Sequence, residues 1–336
     1  MEGMGNNRRS MSAELSRRAK KRRIRAKRLK TAAVVAAVVF GGWLAGTYGP
    51  ALKDQLLPGN ISENSTTQNS KPAQGLTASN GNAANSESTG AAGNTAEEKY
   101  NAVSAMNGSS GTVKERLSRL NNKDSRIKDI IINYNNYPEE LLDMLSRNID
   151  MIDFVADYPT KKGRTYSDNI GAVKKGEVPL LLQWDERWGY GNYGENCVAV
   201  SGCAPTCLSM VIAGLTGDNS VTPYDVAKYS EESGFYVRGT GTSWSLMTSG
   251  SSHFGISGKE IPLSKNKIYN ELEAGHPIIC SVRKGDFTTT GHFIVLTGVK
   301  DGKIKVNDPN STKRSEILWD YDRLESQIKN LWAFTK

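Results

Sequence analysis

The chain is poor in the residues that metal sites and catalytic bases most often use. Its 336 residues include only three histidines and four cysteines. The cysteines lack the paired C-x2-C spacing of a zinc site. A G-x4-GK[ST] phosphate loop is also missing, which excludes an ATP-binding domain of that type. The sequence therefore implies no metal and no organic cofactor.

Most of the chain lacks excess positive charge, which is confined to the N-terminal end. The first 30 residues hold twelve Lys/Arg and two Glu, a net charge of +10. Because the whole chain carries +8, the other 306 residues carry −2. This confinement excludes nucleic-acid binding by the main part of the chain, and we expect no nucleic-acid partner.

Charged residues are absent from Thr31 to Ala51, a run that is long enough to cross a bilayer as a helix. The basic residues 1–30 precede it directly, so the positive-inside rule places this tail in the cytoplasm. We expect residues 31–50 to be a single-pass anchor in the cell membrane, with the rest of the chain extracytoplasmic. A cleaved signal peptide is the alternative, although its basic segment is usually much shorter.

The remaining chain divides by composition into three parts. Residues 51–111 are dominated by Asn, Ser, Thr, Gly and Ala, which predicts a flexible linker, with a glycosylated or wall-spanning stalk as the alternative. Residues 112–176 predict a small helical region, capped by Thr112 and ending its last helix before Pro159, and then a polar connection. This region carries no evident catalytic residue and suggests a prodomain-like or spacing module. Residues 177–336 place helices before antiparallel strands, which indicates an α+β domain.

The segment SGCAPTCLSM, residues 201–210, predicts a glycine-containing turn followed by a helix with Cys203 in its first turn. The free N–H groups and positive dipole end of a helix lower a thiol pKa and favour the nucleophilic thiolate. The alternative is a small buried hydrophobic residue, which is the usual role of a free cysteine.

The other three cysteines, Cys197, Cys207 and Cys280, lie in the same domain. An even number of cysteines outside the cytoplasm suggests disulfides. A bridge from Cys197 to either Cys280 or Cys207 is open, and the spacing does not choose between them.

A thiolate nucleophile needs a base and an orienting group. His292 begins an apolar strand and is the best candidate for the base, whereas His253 and His276 suit structural roles. Asp308 ends the next strand and is the candidate for the orienting group, with Asn307 as the alternative.

The hairpin loop decides whether Asp308 can reach His292. A two-residue turn at Asp301-Gly302 pairs Val295 with Asp308 and puts the carboxylate on the wrong face. A three-residue loop instead makes Ile294 face Asp308, so the catalytic hypothesis predicts that loop together with its bulge.

A tetrahedral intermediate also needs an oxyanion donor. The backbone N–H of Cys203 is one candidate. Gln183, which follows a short apolar strand, is the side-chain candidate, and Asn196 is the alternative.

Three segments together resemble a known family: GCAPT around Cys203, GHFIVLTG around His292 and VNDPN around Asp308. They are similar to papain-like cysteine peptidases related to the bacteriocin-processing, double-glycine-leader peptidases, in the stand-alone C-thirty-nine-like form. The resemblance covers about residues 178–336. It implies a papain-like α+β fold with Cys203 as nucleophile, His292 as general base and Asp308 as orienting group. Transporter-linked relatives have a glutamine six residues before the cysteine, where this chain has Cys197.

We therefore expect a membrane-tethered, extracytoplasmic cysteine peptidase or amide hydrolase that acts through a thioester acyl-enzyme. Its substrate would be a peptide or protein, including cell-wall peptide, and the chain would act as a monomer. A wall-peptide amidase or transpeptidase using the same site is one alternative. A catalytically inactive peptide-binding module is the other.

Overall fold

The computed structural model describes residues 95–336, so the predicted basic tail, the predicted membrane helix and most of the predicted linker lie outside the described residues. Within residues 95–336, no helix combines the length and the apolar composition needed to cross a membrane.

The first part of the described chain is helical. The α-helices in chain order are α1 Ala96–Asn107, α2 Val113–Ser118, α3 Arg126–Ile132, α4 Glu139–Arg147, α5 Ile152–Lys161, α6 Val198–Ser201, α7 Cys203–Thr216, α8 Pro223–Glu232, α9 Lys265–Glu273, α10 Thr312–Ser315 and α11 Tyr321–Glu325. All ten strands described in residues 95–336 follow α5, and they alternate with the later helices. They are β1 Asn192–Tyr193, β2 Asn196–Cys197, β3 Tyr236–Val237, β4 Gly241–Thr242, β5 Ser257–Glu260, β6 Ile278–Arg283, β7 Gly291–Lys300, β8 Lys303–Asn307, β9 Leu318–Trp319 and β10 Ile328–Thr335.

Helix α1 corrects the predicted linker, which is wrong for residues 96–107. Thr95 and Glu98 form a capping box at its start. The ring of Tyr100 is buried and stacks on Trp319 at 5.0 Å, and its hydroxyl donates to the Leu318 carbonyl at 2.9 Å. The linker prediction failed because one buried ring, in an otherwise polar segment, fixes the helix through a contact more than 200 residues away.

Helix α2 begins as predicted, with Thr112 in a capping box. Helix α5 does not end before Pro159 but continues to Lys161. A proline inside a helix removes one backbone hydrogen bond. Here Phe154, Val155 and Tyr158 are buried along the same helix, and their packing outweighs that loss.

The main sheet has six antiparallel strands in the order β5-β10-β6-β7-β8-β9. Strand β7 supplies side chains to both faces, because successive residues alternate. Phe293 and Val295 join the apolar cluster that contains helix α7, whereas Ile294 and Leu296 join the cluster on the opposite face. The predicted combination of helices with an antiparallel sheet is confirmed.

The β7–β8 hairpin differs from the predicted form. Lys300 pairs with Lys303, so the turn has two residues, Asp301 and Gly302, and the predicted three-residue loop is wrong. Both turn residues have positive φ, 53° and 71°, as a type I′ hairpin turn requires. A bulge at Thr297 then shifts the register, so that Val295 pairs with Asn307. Continued by one residue past β8, this register sets Asp308 opposite Ile294, as the predicted three-residue loop would have done.

The helical region packs on the sheet domain through a shared apolar cluster. Leu141, Leu145 and Phe154 of the helices lie in one cluster with Tyr190 and Cys197 of the following segment. The rings of Phe154 and Tyr190 stack at 4.0 Å. The two parts therefore share a core, because each covers apolar surface that the other would leave in water.

Candidate active site

One cavity of about 560 Å³ brings the predicted site residues together. Cys203, His292 and Gln183 line it directly. Another wall comes from the helical region, namely the end of α1, the start of α2, and α4 with the residue that follows it. The residues of this wall are Met106, Asn107, Val113, Glu139, Glu140, Asp143, Met144, Arg147 and Asn148.

Cys203 is the first residue of helix α7 and is half-buried at the cavity wall. Short helix α6 ends directly before it, and Gly202 joins the two. A Cβ atom at Gly202 would lie 2.5 Å from the Val198 carbonyl oxygen, so this tight junction needs glycine. The junction places Cys203 where the first N–H groups of the helix have no intrahelical partner.

His292 and Asp308 form a buried pair. The Nε2 atom of His292 lies 2.8 Å from Oδ1 of Asp308. A carboxylate can only accept, so Nε2 donates, and Nδ1 is the ring nitrogen left for Cys203. Burial alone would lower the pKa of His292, but the Asp308 carboxylate and the nearby Cys203 side chain outweigh burial and raise it to about 9.

Asp308 is completely buried, and its carboxylate has three donors. Besides His292, the Asn310 backbone N–H donates to Oδ1 at 2.8 Å, and Nη1 of Arg314 donates to Oδ2 at 2.9 Å. Burial alone would raise the pKa of Asp308, but His292 and Arg314 outweigh it and hold the pKa below its ordinary value of 3.8. Asp308 is therefore ionised and fixed in orientation.

Gln183 lies at the cavity, but one of its N–H groups is engaged. Its Nε2 donates to the Ala199 carbonyl oxygen at 2.6 Å, just upstream of Cys203. Nε2 carries a second hydrogen, whereas the buried Oε1 has no hydrogen-bond partner within residues 95–336. The acceptor Ala199 fixes the orientation of the amide, so Nε2 is the group that can serve an oxyanion.

The two asparagine alternatives lie elsewhere. Asn196 pairs with Tyr193 between β2 and β1 and is absent from the cavity lining. Asn307 donates to the carbonyls of Val178 and Pro179 at 3.2 and 3.0 Å, which anchors the start of the domain. Neither is placed to orient His292 or to bind an oxyanion in this cavity.

The other two histidines occupy structural positions outside the cavity. His253 stacks on Tyr229 at 4.0 Å. His276 lies 2.7 Å from Glu271, beyond the end of helix α9.

All four cysteines are free. Neither disulfide left open by the sequence is formed. Burial raises the pKa of Cys197 to about 11, and it raises the pKa values of Cys207 and Cys280 as well. These three thiols are consequently poor nucleophiles, and Cys203 is the half-buried exception.

Sequence reasoning missed the wall formed by the helical region, to which it gave no part in the site. Glu139 and Glu140 are exposed at this wall, while Asp143 is paired with Arg116 and Arg147. No local motif marks these side chains. The available signal was the amphipathic pattern of α4. This pattern predicts that the helix packs on another element but does not identify that element.

The second half of the chain is similar to a known protein family. A sequence model described as "Peptidase_C39 like family" matches residues 175–336, slightly less than half of the chain. Among curated proteins, none matches this sequence.

Several solved structures are similar to about half of the chain. The peptidase domain of Streptococcus ComA, a bifunctional ABC transporter of a quorum-sensing pathway, is 20% identical, with a TM-score of 0.32, covering 47% of this chain and 96% of that one. A putative C39-like peptidase from Bacillus anthracis is 17% identical, with a TM-score of 0.29, covering 49% and 98%. A double-glycine-motif protease of an AMS/PCAT transporter, in complex with its leader peptide, is 13% identical, with a TM-score of 0.25, covering 49% and 95%. The family match supports a papain-like, C39-like peptidase domain in residues 175–336.

Proposed function

We propose that the protein is a cysteine peptidase or amide hydrolase with Cys203 as nucleophile, His292 as general base and acid, and Asp308 as the orienting group. The observation that carries this proposal is the ionised Asp308 held 2.8 Å from Nε2 of His292, which leaves Nδ1 for Cys203 in the same cavity. A fixed base, a fixed orienting group and a thiol at a helix start are the parts of a nucleophilic thiol site.

Acylation follows from this arrangement. Because the pKa of His292 is raised to about 9, the ring holds a proton at neutral pH. The nucleophilic form of a cysteine is the thiolate, which a neighbouring imidazolium stabilises. The thiolate sulfur attacks the carbonyl carbon of the scissile amide and forms a C–S bond. The tetrahedral intermediate collapses, the C–N bond breaks, and the leaving nitrogen takes the proton from Nδ1 of His292. A thioester on Cys203 and a free amine result.

In deacylation, the proton transfers run in the opposite direction. Neutral His292 takes a proton from water, whose oxygen attacks the thioester carbon, and the C–S bond then breaks. The products are a carboxylic acid and the thiolate–imidazolium pair. The carbonyl oxygen becomes negative in both steps, and the Cys203 backbone N–H and Nε2 of Gln183 are the donors offered to it.

The location and partners of this activity come from the sequence. The uncharged residues 31–50 behind a basic tail support a single-pass membrane anchor, with the catalytic domain outside the cytoplasm. The substrate would then be a peptide or protein met at the cell surface, including cell-wall peptide, and the protein would act as a monomer.

A membrane-impermeant, thiol-reactive peptide probe tests the chemistry and the location together. We expect intact cells that make the full chain to be labelled, with loss of labelling in Cys203→Ala. Cys207→Ala is the matched control, because Cys207 lies one helical turn further on and is buried. Labelling that survives in Cys203→Ala contradicts the assigned nucleophile. Labelling seen only after lysis contradicts the extracytoplasmic location.

Product analysis then identifies the acceptor. Hydrolysis transfers the acyl group to water, whereas a transpeptidase transfers it to an amine. Wall fragments and unrelated peptides, with and without an added amine, separate a peptidase from a wall amidase or transpeptidase.

A further inference from the structure

Arg314 lies behind Asp308 and is more deeply buried than any other charged group near the site except Asp308 itself. Its residue is 2% exposed, and it occupies short helix α10. Nη1 donates to Asp308 Oδ2 at 2.9 Å, and Nη2 donates to Oδ1 of Asn107 at 3.3 Å. The guanidinium group therefore joins the orienting carboxylate to the end of α1.

Asn107 is itself held firmly. Its Nδ2 donates to the carbonyls of Gly285 and Asp286 at 3.0 and 2.8 Å, and its own carbonyl accepts from Arg147 at 2.9 Å. These bonds fix Asn107 against the loop before β7 and against α4. The guanidinium group of Arg314 is consequently bonded both to Asp308 and to a fixed asparagine, so it cannot shift together with the Asp308 carboxylate.

The charge of Arg314 also affects the ionisation of Asp308. A guanidinium group keeps its proton in proteins, so Arg314 carries its charge throughout any reaction. A buried charge of this kind needs a buried partner, and Asp308 is the acidic group that it contacts within residues 95–336. Asp308 therefore stays ionised even when His292 is neutral.

We propose that Arg314 is a positioning residue, which holds the Asp308 carboxylate ionised and in the orientation that aligns His292 with Cys203. This inference rests on the proposed function and goes beyond it by naming a fourth member of the site. The two positive groups share one carboxylate, so Arg314 also limits how strongly Asp308 attracts the proton of His292. If the charge of Arg314 is removed, Asp308 attracts the proton of His292 more strongly, and the pKa of His292 rises.

The test uses the rate at which iodoacetamide alkylates Cys203 across pH, which needs no knowledge of the substrate. The upper step of that profile reports the loss of the proton from His292 beside the thiolate. We expect Arg314→Met to move this step upward by about one pH unit. Arg314→Gln, which keeps a donor but no charge, gives the same test if the methionine variant folds poorly. Arg314→Lys restores the charge and should return the step toward its original position.

Arg323→Met is the matched control. Arg323 pairs with Asp286 at 2.8 Å in the same domain but contacts neither Asp308 nor His292. We expect this variant to lower thermal stability and to leave the alkylation profile where it is. Alkylation is read at Cys203 by mass spectrometry on the detergent-extracted full chain, after aggregated protein has been removed by centrifugation.

The possible outcomes are distinct. An upward step in both uncharged variants, with recovery in Arg314→Lys, supports the positioning role. A profile in Arg314→Met and Arg314→Gln that coincides with wild type, or moves downward, overturns it. If Cys203 of the wild-type protein reacts no faster than an ordinary thiol, the proposed function fails instead.

Discussion

Val295 pairs with Asn307 across β7 and β8, one residue away from the partner that the turn alone would give it. The two-residue turn would pair Val295 with Asp308 and direct the carboxylate to the wrong face. The bulge at Thr297 adds one residue to β7 and corrects the register before the strand reaches His292. The contact between His292 and Asp308 depends on this extra residue.

Deletion of Thr297 should therefore break the site although the residue is not part of it. Without the bulge, the register slips by one residue, which moves side chains to the opposite face of the sheet. We expect hydrolysis and probe labelling to fall by a factor on the order of 10² to 10⁴, the range seen when a catalytic pair loses its orientation. Thr297→Val keeps the residue count and should retain activity. Normal activity of the deletion variant would show that the bulge does not set the register.

Asp308→Asn should cost both stability and activity. It leaves the buried Arg314 without its carboxylate, and loss of one partner of a buried ion pair costs about 3–5 kcal/mol. Chemical denaturation measures the free energy of unfolding. The double variant Asp308→Asn with Arg314→Met should recover much of that stability but no activity. Equal stability of the single and double variants would contradict the buried pair.

The raised pKa of His292 predicts how stability changes with pH. The folded-state pKa of about 9 lies above the ordinary value of 6.5, so the protonated ring stabilises the fold. This contribution, about 3 kcal/mol, is fully present below pH 6.5 and is lost as the pH rises toward 9. Unfolding measured from pH 6 to 10 should show the decline in wild type and a flatter curve in His292→Asn. Parallel curves for the two proteins would contradict the shift.

Asp308 acts in the opposite pH range. Its pKa lies below 3.8 in the folded protein, so its contribution is present above 3.8 and is lost as the pH falls through the lower folded value. His292→Asn should leave part of this acid-side loss intact, because Arg314 still binds the carboxylate.

Gln183→Leu separates an oxyanion donor from a structural amide. Removal of one oxyanion donor typically lowers kcat by about 10²–10³. Alkylation of Cys203 by iodoacetamide forms no oxyanion, so its rate should change little. A variant that loses both activities to the same extent would indicate that Gln183 acts through the fold, by way of Ala199.

Much of this arrangement could be predicted from local sequence because it depends on local rules. The helix beginning at Cys203 follows from a glycine, an early proline and an apolar stripe, and the capping box at Thr112 follows from spacing alone. The choice of His292 required only that two other histidines lie in unsuitable positions. The cysteine, histidine and aspartate could thus be named together before any contact was known.

The remainder depends on contacts between distant segments. The bulge at Thr297 is set by how β7 packs on its neighbours, and no residue type marks it. Asn107 and Arg314 meet across 207 residues, and each alone is an ordinary polar residue in a polar segment. The contribution of α1 was hidden because its composition resembles that of the linker before it.

The cavity wall from α1 and α4 lies before residue 175, where the family match begins. A protein produced from residues 175–336 alone would expose the side of Tyr190 and Cys197 that the helices now cover, and it would lack Asn107. We expect such a fragment to aggregate, or to fold with a weakened site, even though it contains Cys203, His292 and Asp308. The family match and the lining of the cavity therefore begin at different places in this chain. Comparisons of substrate preference among relatives should therefore include what precedes the recognisable domain.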